Sequence, residues 1–156
     1  MLAVFPGTFD PFTRGHMDIL QRAVKIADDV VVAVCASPSK HTLFSLEQRV
    51  EMVQKCNDNQ HVRVMGFSGL LTDLLKELHA DFLIRGIRNT IDFEYELSLT
   101  AMYRDFLPNL EVIMLPTEHK YSYVSSTLVR EIHKHGGDIS SYVPERIAPY
   151  FDKNLK

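Results

Sequence analysis

Apolar residues along the chain fall into short runs separated by longer stretches of helical period. Leu2-Ala3-Val4-Phe5 is too short for a helix, and the Pro and Gly that follow make it a buried first strand. Met17, Leu20, Ala23, Val24 and Ala27 then recur at i, i+3, i+6, i+7 and i+10, one face of a helix. Val30 to Ala36 is apolar throughout and mostly β-branched, the signature of a strand covered on both faces in a parallel sheet. Ser45, with Gln48 three residues on, forms a capping box that starts a helix at Leu46, with Leu46, Val50 and Val53 on its apolar face. Val62–Met65 reads as a third strand, followed by a helix carrying Leu70, Leu71, Leu74, Leu75 and Leu78. Phe82–Ile84 is a fourth strand running into Arg85-Gly86-Ile87-Arg88, and Phe93 to Phe106 is a long helix that ends ahead of Pro108. Val112–Leu115 is the fifth strand. A helix opens at Ser125-Ser126-Thr127 and closes at His135-Gly136-Gly137, and a last short helix begins at Pro144.

Strands alternating with helices predict an α/β fold: one Rossmann-like, doubly wound sheet of five mainly parallel strands with helices on both faces. The chain shows no internal repeat or linker, so residues 1–156 form a single domain. In such sheets ligands bind beyond the carboxyl ends of the strands, at the switch point. The loops expected there are Pro6–His16, Ser37–Thr42, Gly66–Leu71, Arg85–Asn89 and Pro116–Thr127.

Those loops carry Lys40, Arg85, Arg88, His119, Lys120 and His16, with the hydroxyls of Thr8, Thr13, Ser125, Ser126 and Thr127. Cations, hydroxyls and helix starts suit a polyphosphate, where catalysis is mostly positioning and charge stabilisation. Each feature also has a plainer reading. Arg85 and Arg88 either hold phosphate or pair with Asp92, Glu94 or Glu96, and Ser125-Ser126-Thr127 caps a helix whether or not it also binds phosphate. His133 and His135 lie two apart on a helix and face different ways, which rules them out as a metal pair.

Composition narrows the class further. Charged residues make up 24% and apolar residues 46%, globular proportions, and a net charge of −3 offers no basic surface for nucleic acid. Cys35 and Cys56 lack metal or disulfide spacing and fit a reducing cytoplasm. No apolar run approaches the ~20 residues of a membrane span, and the N-terminus does not read as a signal peptide. Motifs for a zinc hydrolase or a serine nucleophile are missing, and no acidic cluster offers a metal cage.

Thr13-Arg14-Gly15-His16 resembles the (Thr/His)-x-Gly-His signature of the nucleotidyltransferase superfamily, and Val124-Ser125-Ser126-Thr127-Leu128-Val129-Arg130 its Ile-Ser-Ser-Thr-x-x-Arg partner, with Val for Ile. Phe5-Pro6-Gly7-Thr8-Phe9-Asp10-Pro11, Ala36-Ser37-Pro38-Ser39-Lys40, Ile84-Arg85-Gly86-Ile87-Arg88 and Asp92-Phe93-Glu94-Tyr95-Glu96 are similar to the bacterial phosphopantetheine adenylyltransferase family over essentially the whole chain. The resemblance implies reversible transfer of AMP from ATP to 4′-phosphopantetheine, giving dephospho-coenzyme A and pyrophosphate, by direct in-line attack on the α-phosphorus. It implies His16, Lys40 and Arg88 as catalytic residues, with His16 stabilising the transition state. Thr8, Lys40, Leu71 and Arg85 are implied to contact phosphopantetheine. Thr8, Phe9, His16, Gly86, Ile87, Arg88, Glu96, Tyr121, Ser122, Tyr123, Val124, Ser125, Ser126 and Thr127 are implied to contact ATP. Mg²⁺ would be held mainly by ATP phosphates, with no protein metal ligand. The resemblance also implies a homo-hexamer to which coenzyme A binds as an inhibitor, and the cytoplasm is the expected location. Tyr121 and Tyr123 stand where relatives often carry Trp and Phe, and Gly69 where an acidic residue can occur. A sibling enzyme acting on nicotinate mononucleotide, or transferring CMP, would keep His16 and Ser125–Thr127 but lack the Arg85-to-Glu96 pattern. A non-catalytic nucleotide-binding regulator would be expected to lose His16 or Lys40, and both are present.

Overall fold

The computed structural model describes residues 1–36 and 41–152. Five strands, β1 (Leu2–Gly7), β2 (Asp29–Cys35), β3 (Val62–Phe67), β4 (Phe82–Ile87) and β5 (Glu111–Pro116), form one sheet in the order β3-β2-β1-β4-β5. Every pairing is parallel. The connecting helices are α1 (Arg14–Ala23), α2 (Leu46–Lys55), α3 (Leu71–Glu77) and α4 (Thr90–Phe106). After β5 come a 3₁₀ turn at His119–Tyr121, α5 (Ser126–Lys134), a second 3₁₀ turn at Glu145–Ile147 and α6 (Ala148–Asp152). No described helix is long and apolar enough to cross a membrane.

Alternation along the strands divides the core. Ala3, Phe5, Val30, Val32 and Val34 face one side with Ile19 and Leu20 of α1, Met52 and Val53 of α2, Val129 of α5 and Phe151 of α6. Val4, Val31 and Ala33 face the other, against Leu74 and Leu75 of α3 and Tyr103 of α4. Both faces of β1 and β2 are thus dry, which is why these strands carry no polar alternation.

The strand order reverses at β1, and the sheet opens there. β1 stays in register with β2 from Leu2↔Asp29 to Gly7↔Val34, but its pairing with β4 covers only Ala3↔Phe82 and Val4↔Leu83. Beyond Val4 and Leu83 the two neighbours part, leaving a crevice between their carboxyl ends, where a doubly wound fold binds ligands.

Several boundaries depart from the sequence expectation. β4 runs through Arg85, Gly86 and Ile87, because Gly86 and Ile87 pair with Leu115 and Pro116 of β5. Arg85 therefore sits on a strand and not in a loop. β3 likewise reaches Phe67 by pairing with Cys35. α4 starts at Thr90 instead of Phe93, since the Asn89 side chain accepts from the Asp92 amide and caps it. Leu70 is the uncapped N-cap of α3 and is exposed, so it does not belong to that helix's apolar face. Pro144 precedes a 3₁₀ turn, and the last α-helix begins only at Ala148.

Candidate active site

The turn from β1 into α1 is built around His16. Thr13 is the N-cap, and its Oγ1 accepts from the His16 amide at 3.3 Å. His16 Nδ1 accepts in return from the Thr13 amide at 3.0 Å and lies 3.0 Å from Thr13 Oγ1. This is a capping box in which histidine takes the place usual for Glu or Gln. An Nδ1 that accepts from a backbone N–H leaves the ring proton on Nε2. Phe12 stacks on the ring at 5.6 Å, and Phe9 meets it edge-on at 5.0 Å. Burial, and after it the positive charge of Arg88, push the imidazole pKa down to about 4. His16 is therefore a neutral, oriented N–H donor at physiological pH. Phe9 folds back over Gly7 in a left-handed conformation (φ 49°), and a Cβ on Gly7 would meet its ring at 2.6 Å.

Across the crevice, the end of β4 contributes two guanidinium groups. Arg85 Nε and Nη2 donate to Glu96 of α4 at 2.7 and 2.5 Å, and Nη1 points to the Pro6 carbonyl at 3.4 Å. Burial opposes the Arg85 charge, but the Glu96 carboxylate more than compensates and raises its pKa. Arg88 donates to both Asp92 oxygens at 2.8 and 3.1 Å and reaches the Val124 carbonyl at 3.4 Å. Both arginines thus have carboxylate partners on α4, as the ion-pair reading expects, and both line the crevice. Such pairs fix the direction of each planar fork before a ligand arrives.

The third wall is the start of α5. Ser125 caps the helix by accepting from the Leu128 amide at 3.1 Å, while Ser126 Oγ donates to the Pro11 carbonyl at 2.8 Å. The cap is therefore Ser125, and Ser126 stitches the helix to the β1–α1 turn. Free amides of this first turn give the wall a partial positive charge.

Together these walls enclose a cleft of about 370 Å³. Of the residues singled out from sequence, Phe9, Thr13, His16, Arg85, Gly86, Arg88, Glu96, Val124, Ser125, Ser126 and Thr127 line it. Thr8, Leu71, Ile87, His119, Lys120, Tyr121, Ser122 and Tyr123 are not among the lining residues. Leu71 packs against the α3–α4 side of the core, Ile87 receives the Thr117 amide on its carbonyl, and Tyr123 is exposed beside Tyr142. Lys40 lies outside the described residues. Asp92, Tyr95 and Thr117 line the cleft without having been singled out as ligand contacts. Asp92 and Tyr95 lie in the Asp92-to-Glu96 stretch that carries the family resemblance, and the i,i+4 spacing of Arg88 and Asp92 is a second signal for the first of them. No group of three His, Cys, Asp or Glu side chains able to hold a metal occurs among the described residues.

The Cytidylyltransferase-like family model matches residues 4–132. A phosphopantetheine adenylyltransferase of Tolumonas auensis (strain DSM 9187 / NBRC 110442 / TA 4) is 51% identical over 146 residues, 93% of this chain and 89% of that protein. The phosphopantetheine adenylyltransferase of Aliivibrio fischeri (strain MJ11) is 49% identical over 154 residues, covering 98% of this chain and 96% of its own. The chain belongs to the phosphopantetheine adenylyltransferase family. Solved structures agree on the fold alone, at 17% identity. A bifunctional NMN adenylyltransferase/ADP ribose pyrophosphatase from Francisella tularensis superposes with TM-score 0.74 over 97% of this chain, which spans 48% of that longer one. A proposed nicotinate-nucleotide adenylyltransferase from Vibrio parahaemolyticus gives 0.70, over 96% of this chain and 97% of that one. As a phosphopantetheine adenylyltransferase family member, the chain is a nucleotidyltransferase, and its cleft lies at the switch point of the fold shared with those enzymes.

Proposed function

We propose that this cleft transfers AMP from ATP to the phosphate of 4′-phosphopantetheine, forming dephospho-coenzyme A and pyrophosphate in a reversible step of coenzyme A synthesis. An oxygen of the acceptor phosphate attacks the α-phosphorus in line, and the bond to the β,γ-pyrophosphate breaks on the opposite side. The nucleophile is already ionised at neutral pH, so no base is needed. The observation that carries this chemistry is the neutral His16, whose Nε2–H is held beside a helix start and two arginines. A donor fixed in advance and aimed at growing charge stabilises the transition state more than bound ATP.

Arg88 and the first turn of α5, Val124 to Thr127, take the ATP phosphates. Phe9, Gly86 and Glu96 line the nucleotide side, and Thr8, Ile87, Tyr121, Ser122 and Tyr123 complete it. Lys40, Arg85 and Thr8 hold the acceptor phosphate, with Leu71 along the pantetheine arm. Asp92 and Glu96, the carboxylates in the cleft, are each held by an arginine, so magnesium fits as a partner of the ATP phosphates and water. Bound there, magnesium would supply charge neutralisation for the departing pyrophosphate.

The same reading places the enzyme in the cytoplasm as a homo-hexamer inhibited by coenzyme A, which presents both the pantetheine arm and the nucleotide. Assembly is supported by α4, which exposes Ile91, Tyr95, Leu97, Met102 and Phe106 on one isolated chain. The test is pyrophosphate release from ATP with 4′-phosphopantetheine and, separately, nicotinate mononucleotide. Release with the first acceptor and background with the second is expected. The reverse pattern would move the chain to the sibling activity, and release with neither would leave only a nucleotide-binding role.

A further inference from the structure

The chain between β5 and α5 has no packed core of its own. None of residues 116–123 is buried, and Val124 is the first that is. Thr117 lines the cleft, while Glu118, Lys120 and Tyr121 line a separate cavity of about 360 Å³. A segment with so little buried apolar contact takes its place from polar anchors. Two of them come from one turn of α1. Asp18, 7% exposed, accepts from the Glu118 amide at 3.0 Å, and Arg22 Nη1 donates to the Pro116 carbonyl at 2.5 Å. Arg22 Nη1 also lies 3.4 Å from Asp18 Oδ2, so the pair holds both neighbours of Thr117. Thr117 itself is tied to β4, its amide donating to the Ile87 carbonyl at 2.9 Å.

From Glu118 the position is handed on through turn hydrogen bonds. The Glu118 carbonyl accepts from the Tyr121 amide at 2.8 Å, and the Tyr121 carbonyl from the Val124 amide at 3.0 Å. The Val124 carbonyl in turn accepts from Arg88 at 3.4 Å, and Ser125 caps α5. Asp18 and Arg22 are not among the residues lining the cleft, yet they join the helix that carries His16 to the wall formed by Arg88 and the start of α5. A buried carboxylate costs desolvation that an apolar side chain would not. What Asp18 provides is registration with a segment 100 residues away.

We propose that Asp18, backed by Arg22, is a positioning residue for the ATP side of the site, setting residues 116–124 against α1 so that Arg88 and the first turn of α5 meet the phosphates in register with His16. This rests on the reading that Val124 to Thr127 take the ATP phosphates. On the acceptor side Arg85 is aligned by Glu96 of α4, so that side depends little on Asp18.

The test uses the full-length protein carrying Asp18→Ala, Asp18→Asn, Arg22→Ala or Ser126→Ala, with steady-state kinetics in both substrates and hydrogen exchange at the Glu118 amide. Asp18→Ala removes the acceptor of that amide. Its KM for ATP should rise about tenfold or more while KM for 4′-phosphopantetheine moves within about threefold, since small displacements of positioned contacts are costly. Faster exchange at Glu118 should accompany the rise. Asp18→Asn keeps an oxygen for the same amide and should bring KM for ATP back to within about threefold of the parent. If Asp18→Ala does not fold, Arg22→Ala, at a partly exposed position, must show the same ATP-selective rise. Equal changes for both substrates, unchanged exchange in a folded Asp18→Ala protein, or an Asp18→Asn protein as impaired as Asp18→Ala overturns the proposal. Ser126→Ala that leaves KM for ATP unchanged overturns the assignment of α5 to ATP, a failure separable from that of the anchor because the Glu118 exchange signal does not involve Ser126.

Discussion

A histidine held neutral must show itself in the pH dependence of stability. The ordinary pKa of 6.5 falls to about 4 in the folded protein. Above 6.5 the ring is neutral in both folded and unfolded chains and contributes no pH dependence. As pH drops from 6.5 towards 4, the unfolded chain takes up a proton that the folded one refuses, so stability is progressively lost. That pKa gap corresponds to at most about 3 kcal/mol, the full amount being reached only below pH 4. The causes are structural: the ring lies between Phe9 and Phe12, its Nδ1 is already occupied by the Thr13 amide, and Arg88 adds like charge. Urea unfolding of the parent and of His16→Gln at pH 8, 7, 6 and 5 isolates the contribution, because other titrating groups are common to both. The parent should lose stability relative to the variant below pH 6.5 and run parallel above it. The His16 ring signal in NMR should stay flat from pH 8 to 5. A titration midpoint between 6 and 7, or parallel stability curves throughout, would refute the neutral-donor reading.

Three further outcomes are expected. Arg85→Lys replaces a fork aligned by Glu96 with a point charge and should weaken 4′-phosphopantetheine binding by about 1.5–3 kcal/mol, tenfold or more in calorimetry; unchanged affinity would leave Arg85 in a purely structural ion pair. Ser126→Ala removes the 2.8 Å bond to the Pro11 carbonyl and should cost about 1 kcal/mol of stability, together with a larger loss of ATP affinity; equal losses of Tm with and without ATP would leave only the stitching role. Chelation of divalent cations should abolish turnover and be reversed by added magnesium, with thermal stability of the ligand-free protein unchanged; a Tm loss on chelation would point to a protein-held metal.

How much of this was legible beforehand depended on whether the signal was local. The strands Leu2–Phe5 and Val30–Ala36 announced themselves, to within a residue or two of β1 and β2, because burial on both faces forbids polar residues, and Ser45–Gln48 fixed its helix start through a contact three residues long. His16 and the Ser125 turn could be found because their partners lie within a few residues. The limits of β4 could not, since Arg85 to Ile87 are held in a strand by β5, far along the chain. Buried charges were the deepest omission. Arg49 reads as an ordinary helix-surface arginine, and Asp18 likewise, yet Asp18 is buried and receives the Glu118 amide at 3.0 Å from across the fold. Such residues are identified by tertiary partners that no periodicity announces.

The most direct test of the site's chemistry is His16→Ala, followed by steady-state kinetics and calorimetry with both substrates. If the Nε2–H acts on charge developing at the α-phosphoryl group and the departing pyrophosphate, kcat should fall about 10²–10³-fold, while the Kd values for ATP and 4′-phosphopantetheine change only a few-fold. An unchanged kcat with weakened ATP binding would contradict the account, making His16 a ground-state contact and leaving the transition state without its oriented donor.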